Sequence, residues 1–175
     1  LVENDSASRE IFKGFSGSSL CRAISLSQGV FIWEESSQVS FFRLLEIEQA
    51  INEALIHLYD FEGVLQPEVK LKQISLLQEE LDSDELEALE DEFRAGGGQP
   101  IELPIKRDVV MQQFLSYCVG LMMGRYRLDV PGLHIAHPEP TAEEVASYSY
   151  NGHTVEIDDD AILPLMGSAC QFPDD

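Results

Sequence analysis

The residues here whose chemistry goes beyond packing are four histidines, three cysteines, a run of carboxylates and a Gly-Arg-Tyr-Arg-Leu-Asp signature. A zinc site wants closely spaced His or Cys pairs, and only His134 and His137, three apart, approach that spacing. His57 and His153 stand alone, and Cys21, Cys118 and Cys170 lie far apart without a CxxC pair. We therefore assign no metal site and read the histidines as ordinary exposed side chains. The run Glu156, Asp158, Asp159, Asp160 offers oxygen ligands but lacks the alternating acid-and-glycine spacing of a calcium loop. It reads as a solvated turn or a helix N-terminus. Nine of the fifteen residues from Gln78 to Glu92 are acidic, which reads as a wet helix face. A serine-nucleophile elbow, a Walker loop and a GxGxxG fingerprint are all missing from the sequence, and "AGGGQP" has no Lys behind it and reads as a linker. No catalytic, cofactor-binding or metal-ligating residue is assigned.

The remaining signature, Gly120, Gly124, Arg125, Tyr126, Arg127 and Asp129, closes the most apolar segment of the chain. Two arginines at a helix C-terminus are favoured by the helix dipole. That is the favoured reading; the alternatives are pairing with Asp129 or the acidic segment, or contact with a phosphate. Direct phosphate contact is the least favoured of the three, because no Lys or Arg follows Arg127 while ten carboxylates do.

Which elements would position these residues? "SFFRLLEIEQAINEALIHLYDFEG" carries Phe41, Leu44, Leu45, Ile47, Ile51, Leu55 and Leu58 at helical spacing, which predicts a helix over about 40–60 ending by Gly63. "GVFIWEE" before it has the β-branched and aromatic character of a short strand. Segment 75–95 reads as a helical region with Leu77, Leu81, Leu89 and Phe93 in a narrow stripe and Ser83 as a cap. A further helix is predicted over about 106–125, with Val110, Phe114, Tyr117, Cys118, Leu121 and Met122 on one face. Gly120 and Gly124, four apart, would leave a flat patch for a close neighbour. Thr141 with Glu144 has capping-box spacing, and Asn151-Gly152 between alternating residues signals a type I′ hairpin. The expected fold is mainly α, with α+β character at the margins: two long helices packed together and a small β-hairpin. Residues 1–39 would be a loose lead-in and 40–175 the helical domain.

Composition sets the outer bounds. A chain of 175 residues with 44% hydrophobic content can bury a real core. Eleven basic against 32 acidic residues give a net charge of −21, a surface that repels phosphate and suits a basic protein partner. An odd number of scattered cysteines suggests reduced thiols and a cytoplasmic setting. The longest apolar candidate, 109–123, is 15 residues and contains Gln112, Gln113 and Ser116, too short and polar for a bilayer span of about 20 residues. The chain opens on "LVENDS" without Met and stops at "CQFPDD" after an apolar stretch, so we expect a fragment of something longer.

The segment "FLSYCVGLMMGRYRLDVPGL" resembles a stretch of the large adenine-specific DNA methyltransferases of bacterial phage defence, of the BREX or phage-growth-limitation (PglX) type. Related restriction-modification methylases are similar. These carry Ser-Tyr, an apolar turn, Gly-Arg-Tyr, a small residue, Leu-Asp and Gly-Leu. "INEALIHLYDFEGVLQPEV" looks like the block that precedes that stretch, and "DDDAILPLM" like the one after it. Together the blocks span roughly residues 50–166, leaving 1–40 and the acidic insertion outside the resemblance. The resemblance implies a parent enzyme that methylates adenine N6 with S-adenosylmethionine, through an Asn-Pro-Pro-Tyr motif that holds a flipped base. This chain contains neither that motif nor a close variant. It would then be a non-catalytic scaffold or connector, its partners the catalytic and target-recognition regions of the same polypeptide, with DNA reached only through the parent and no membrane involved. The alternative is an acidic protein-interaction module, or a DNA mimic, docking other defence-system components.

Overall fold

A computed structural model describes Gly17, Ser18, Leu20, Ala23 and residues 25–135 and 139–157. Its elements are helix α1 (Leu26–Leu58), a 3-10 turn (Leu71–Gln73), α2 (Ser83–Ala95), α3 (Arg107–Met122), and strands β1 (Tyr148–Tyr150) and β2 (His153–Val155). The fold is mainly α with one small antiparallel hairpin, as expected. The described residues fall into two compact units, one ending at Val110 and the other holding Met111 onward with Gly17, Ser18 and Leu20.

In the first unit, α1 starts fourteen residues earlier than the apolar spacing suggests. Ser25 caps it in extended conformation, its hydroxyl accepting from the Gln28 N–H at 3.3 Å. The segment 29–35, expected as a strand at the end of a loose lead-in, is therefore helix. The reason is a continuous face: Gly29, Ser37, Phe41, Phe42, Leu44 and Leu45 are buried and Trp33 packs on the core between them. Two of those positions are Gly and Ser, which carry no hydrophobic signal, while the propensity of Val30, Phe31 and Ile32 for strand is overridden by packing. Past Tyr59 the chain turns through Asp60 and Gly63, both at positive φ (54° and 80°).

The core of this unit joins α1 to residues 69–105. Phe41 and Leu71 are fully enclosed, with Ile74, Leu76, Leu77, Leu81, Leu86, Phe93 and Leu103 around them. Phe42 stacks on Phe93 at 5.8 Å between centroids. Within this unit the apolar face of the first half of α1 is filled by the 69–81 segment, α2 and Leu103. From α3, Arg107 forms a two-pronged ion pair with Glu34 of α1, at 2.5 and 2.9 Å.

Helix α2 is capped by Asp82 rather than Ser83. The Asp82 carboxylate accepts from the backbone N–H groups of Asp84 and Glu85, both at 3.0 Å. The acidic stretch is also not uniformly wet. Glu80 is buried, and Glu90 accepts from the Leu71 N–H at 2.8 Å while pairing with Arg94, whose guanidinium donates to the Val69 carbonyl. Carboxylates that look like solvent dressing in sequence thus tie α2 to the 69–71 segment. Gly97 and Gly98, at φ 71° and 76°, then release the chain from the helix.

In the second unit the hairpin forms in the expected register, Tyr148 opposite Val155 and Tyr150 opposite His153. Asn151 and Gly152 sit at φ 50° and 80°, as a type I′ turn requires. Thr141 and Glu144 form the reciprocal capping box, with Thr141 N–H to Glu144 Oε2 at 2.7 Å and Glu144 N–H to Thr141 Oγ1 at 3.4 Å. The box opens a single turn rather than the short helix its spacing suggests. Among the described residues no helix is long and apolar enough to cross a membrane. "DDDAILPLM", Cys21, His137 and Cys170 lie outside the described residues.

Candidate functional site

The Gly-Arg-Tyr-Arg signature sits on the end of α3, and its first job is to stop that helix. Gly124 adopts φ 68°, a left-handed conformation that glycine tolerates and other residues resist. Its N–H donates to the Leu121 carbonyl at 3.1 Å, and the Arg125 N–H reaches back to the Gly120 carbonyl at 2.8 Å. That pair of bonds is a Schellman motif with Gly124 just past the cap. Both glycines are buried. Gly120 lends its carbonyl to the closure and Gly124 its backbone freedom.

Beyond the turn, aromatic packing fixes the chain. Tyr126 is buried and its ring lies 5.3 Å from that of Tyr117 on α3, with Leu121 against the pair. Tyr126 forms an isolated antiparallel bridge with Leu133, and the His134 N–H donates to the Arg125 carbonyl at 2.7 Å. The His134 ring is engaged in turn, Nε2 lying 3.1 Å from the Glu144 carbonyl.

The two arginines do different things. Arg127 grips Asp129 through a two-pronged fork, Nε to Oδ1 at 2.8 Å and Nη2 to Oδ2 at 2.7 Å. Its guanidinium also lies over the Tyr148 ring, 4.3 Å from the centroid. Only 13% of the Arg127 side chain is exposed, so it is a clamp rather than a surface cation. Arg125 is exposed, its guanidinium 5.6 Å from the centre of the Tyr126 ring. Of the readings open from sequence, pairing with Asp129 describes Arg127; the helix-end position describes Arg125.

Electrostatics follow the geometry. The hydrogen-bonded Arg127 guanidinium holds the Asp129 carboxyl below the ordinary carboxylate range, and Asp129 raises the guanidinium in return. Burial pushes the Tyr148 hydroxyl up and does the same to the Cys118 thiol, which makes that thiol a poor nucleophile. A carboxylate locked to a guanidinium, a buried tyrosine and an engaged histidine leave this turn equipped to hold chain segments together.

The other candidates disperse. His57 pairs with Glu62 at 2.6 Å near the end of α1, and His153 sits on β2. Among the described residues no group of three or more His, Cys, Asp or Glu is placed to hold a metal ion. Two features escaped the sequence. Tyr148, the aromatic partner of Arg127, lies 21 residues downstream of it with no local signal to connect them. The stripe Ile47, Ile51, Leu55, Leu58, apolar at helical spacing, is exposed. A hint to the second was available: between Arg43 and Lys70 the chain carries six carboxylates and no Lys or Arg.

Over 62 residues this chain is 44% identical to the adenine-specific methyltransferase BrxX of Escherichia coli O9:H4 (strain HS). That stretch is 34% of this chain and 5% of the relative, so the chain spans only a small part of the protein it matches. No family model matches the chain, and no solved structure matches it. The similarity links this chain to an adenine-specific methyltransferase.

Proposed function

We propose that this chain is a non-catalytic connector within an adenine-N6 DNA methyltransferase of a restriction-modification or phage-defence system. The observation that carries the reading is the 44% identity over 62 residues to an adenine-specific methyltransferase. The sequence contains no Asn-Pro-Pro-Tyr motif and no cofactor glycine loop, so the base-flipping pocket and the S-adenosylmethionine site would belong to the rest of a larger cytoplasmic polypeptide. The charge of −21 fits a part that reaches DNA only through its parent. Its physical task is to hold the catalytic and target-recognition regions in register. The packed turn after α3 supports this, because Arg127, Asp129, Tyr117, Tyr126 and Tyr148 are spent on internal contacts.

A second reading is favoured by the same charge together with the exposed carboxylates of α2, such as Asp84, Glu85, Glu87 and Glu92. In it the chain is an acidic module that docks other defence-system proteins. One experiment separates the two. The purified chain is tested for capture of the methyltransferase core, for S-adenosylmethionine binding and for duplex binding at low salt. Capture of the core with no binding of cofactor or DNA supports the connector. Capture of a different defence component without the core supports the module. Tight cofactor or duplex binding by these 175 residues alone overturns both.

A further inference from the structure

The first half of α1 is buried and the second is not, although both carry apolar residues at helical spacing. The covered face runs through Phe41 and Leu45 and continues as the half-buried Gln49, Asn52 and Ile56, with the Asn52 amide donating to the Pro67 carbonyl at 3.3 Å. Ile47, Ile51, Leu55 and Leu58 recur at i, i+4, i+8 and i+11 on another side of the helix, 38%, 52%, 46% and 69% exposed. The turn after the helix adds Tyr59, Phe61, Val64 and Leu65, each between 47% and 76% exposed. Contiguous exposure of this kind marks interaction surfaces.

Two clefts are cut into this end of the unit. One, about 380 Å³, is lined by Leu55, Ile56, Tyr59, Phe61 and Leu65 together with Asn52 and Gln66. The volume suits large aliphatic or aromatic side chains. The other, about 610 Å³, shares Leu65 and Gln66 and is lined by Glu53, His57 and Glu62. An apolar cleft thus adjoins one bearing two carboxylates. Around both, residues 44–69 supply Glu46, Glu48, Glu53, Asp60, Glu62 and Glu68 and no Lys or Arg.

We propose that this end of α1 is a docking surface for an amphipathic protein segment whose large apolar side chains are flanked by Lys or Arg. Charge complementarity selects that occupant. A second copy of the chain would bring the same six carboxylates to face these. An anionic lipid surface or a nucleic acid would meet the same repulsion. A basic-flanked apolar segment fills the cleft with its anchor and places its cations beside Glu53 and Glu62. This proposal goes beyond the connector reading and does not depend on it.

The test uses the 175-residue chain and three synthetic helical peptides, read by fluorescence anisotropy. One has a leucine face flanked by Lys and Arg, one is the same composition scrambled, and one has the leucine face flanked by Glu. The first should bind at least about tenfold more tightly than either other, and the difference should shrink as salt rises. Leu55→Asp and Tyr59→Asp should each weaken binding about tenfold or more, and Glu53→Gln with Glu62→Gln should reduce its salt dependence. Because these side chains are exposed, circular dichroism should show an unchanged fold. Equal binding of the three peptides, variants without effect, or self-association abolished by Leu55→Asp would each overturn the proposal. Capture of the methyltransferase core distinguishes it from the connector reading. If the core is captured equally by wild type and Leu55→Asp while the three peptides bind alike, the docking surface fails and the connector stands. If the basic peptide binds while the core does not, the surface stands and the connector fails.

Discussion

The Arg127 guanidinium lies 4.3 Å from the centre of the Tyr148 ring while its fork holds Asp129, tying the chain after α3 to the β1–β2 hairpin. Planarity matters to both contacts. Lysine keeps the charge but can neither fork onto a carboxylate nor stack flat on a ring. Arg127→Lys should therefore cost about 1 kcal/mol locally, and Arg127→Ala more, because Asp129 would be left without its partner. The check is amide hydrogen exchange across 148–155, which should speed up several-fold in Arg127→Lys and further in Arg127→Ala. Unchanged exchange would mean the hairpin is held by something else.

The same pair sets a pH dependence. Arg127 lowers the Asp129 carboxyl, so folding favours the ionised form. A depressed carboxylate contributes stability that is present above its unfolded value, about pH 4, and lost as pH falls through the native value. Titration should show hairpin protection constant from neutral pH down to about 4 and declining below it. In Asp129→Asn that acid-side decline should be smaller, and protection at neutral pH lower, since the charge-assisted fork is gone.

Gly124 offers a cleaner backbone test. At φ 68° any residue with a Cβ is strained, and the two bonds that close α3 depend on that conformation. Gly124→Ala should destabilise the second unit by about 1–2 kcal/mol, and Gly124→Asn by less, because Asn tolerates left-handed geometry. Thermal melts of the two variants should fall in that order. Gly120→Ala is a useful contrast, since only the Gly120 carbonyl is used in the closure and alanine supplies it equally well.

Legibility from sequence depended on whether the signal was local. The Asn151-Gly152 turn and the Thr141–Glu144 box each depend on residues a few positions apart, and both form, although the box opens only a single turn. The start of α1 was hidden because its buried face passes through Gly29 and Ser37, small residues that pack closely without looking apolar. The cap of α2 is ambiguous by one position in sequence because Asp82 and Ser83 are both good caps, and backbone conformation decides for Asp82. At the signature the residues were identifiable but their partners were not: Arg127 with Asp129 is local, whereas Arg127 with Tyr148 is created by the fold. Periodicity also misled, because it reports that a face is apolar and is silent about what covers it.

That last distinction gives the sharpest mutational contrast, within a single helix. Phe41 and Leu55 are both apolar positions on α1, fourteen residues apart, but Phe41 is completely enclosed and Leu55 is 46% exposed. Removing the Phe41 ring leaves a cavity against Phe42 and the surrounding leucines, so Phe41→Ala should cost about 3–5 kcal/mol. Leu55→Ala opens no enclosed cavity and should change stability by no more than about 0.5 kcal/mol. Urea denaturation followed by α-helical circular dichroism reads both. If Leu55→Ala proved as costly as Phe41→Ala, the second half of α1 would already be covered by another part of this chain, and its apolar stripe would be core after all.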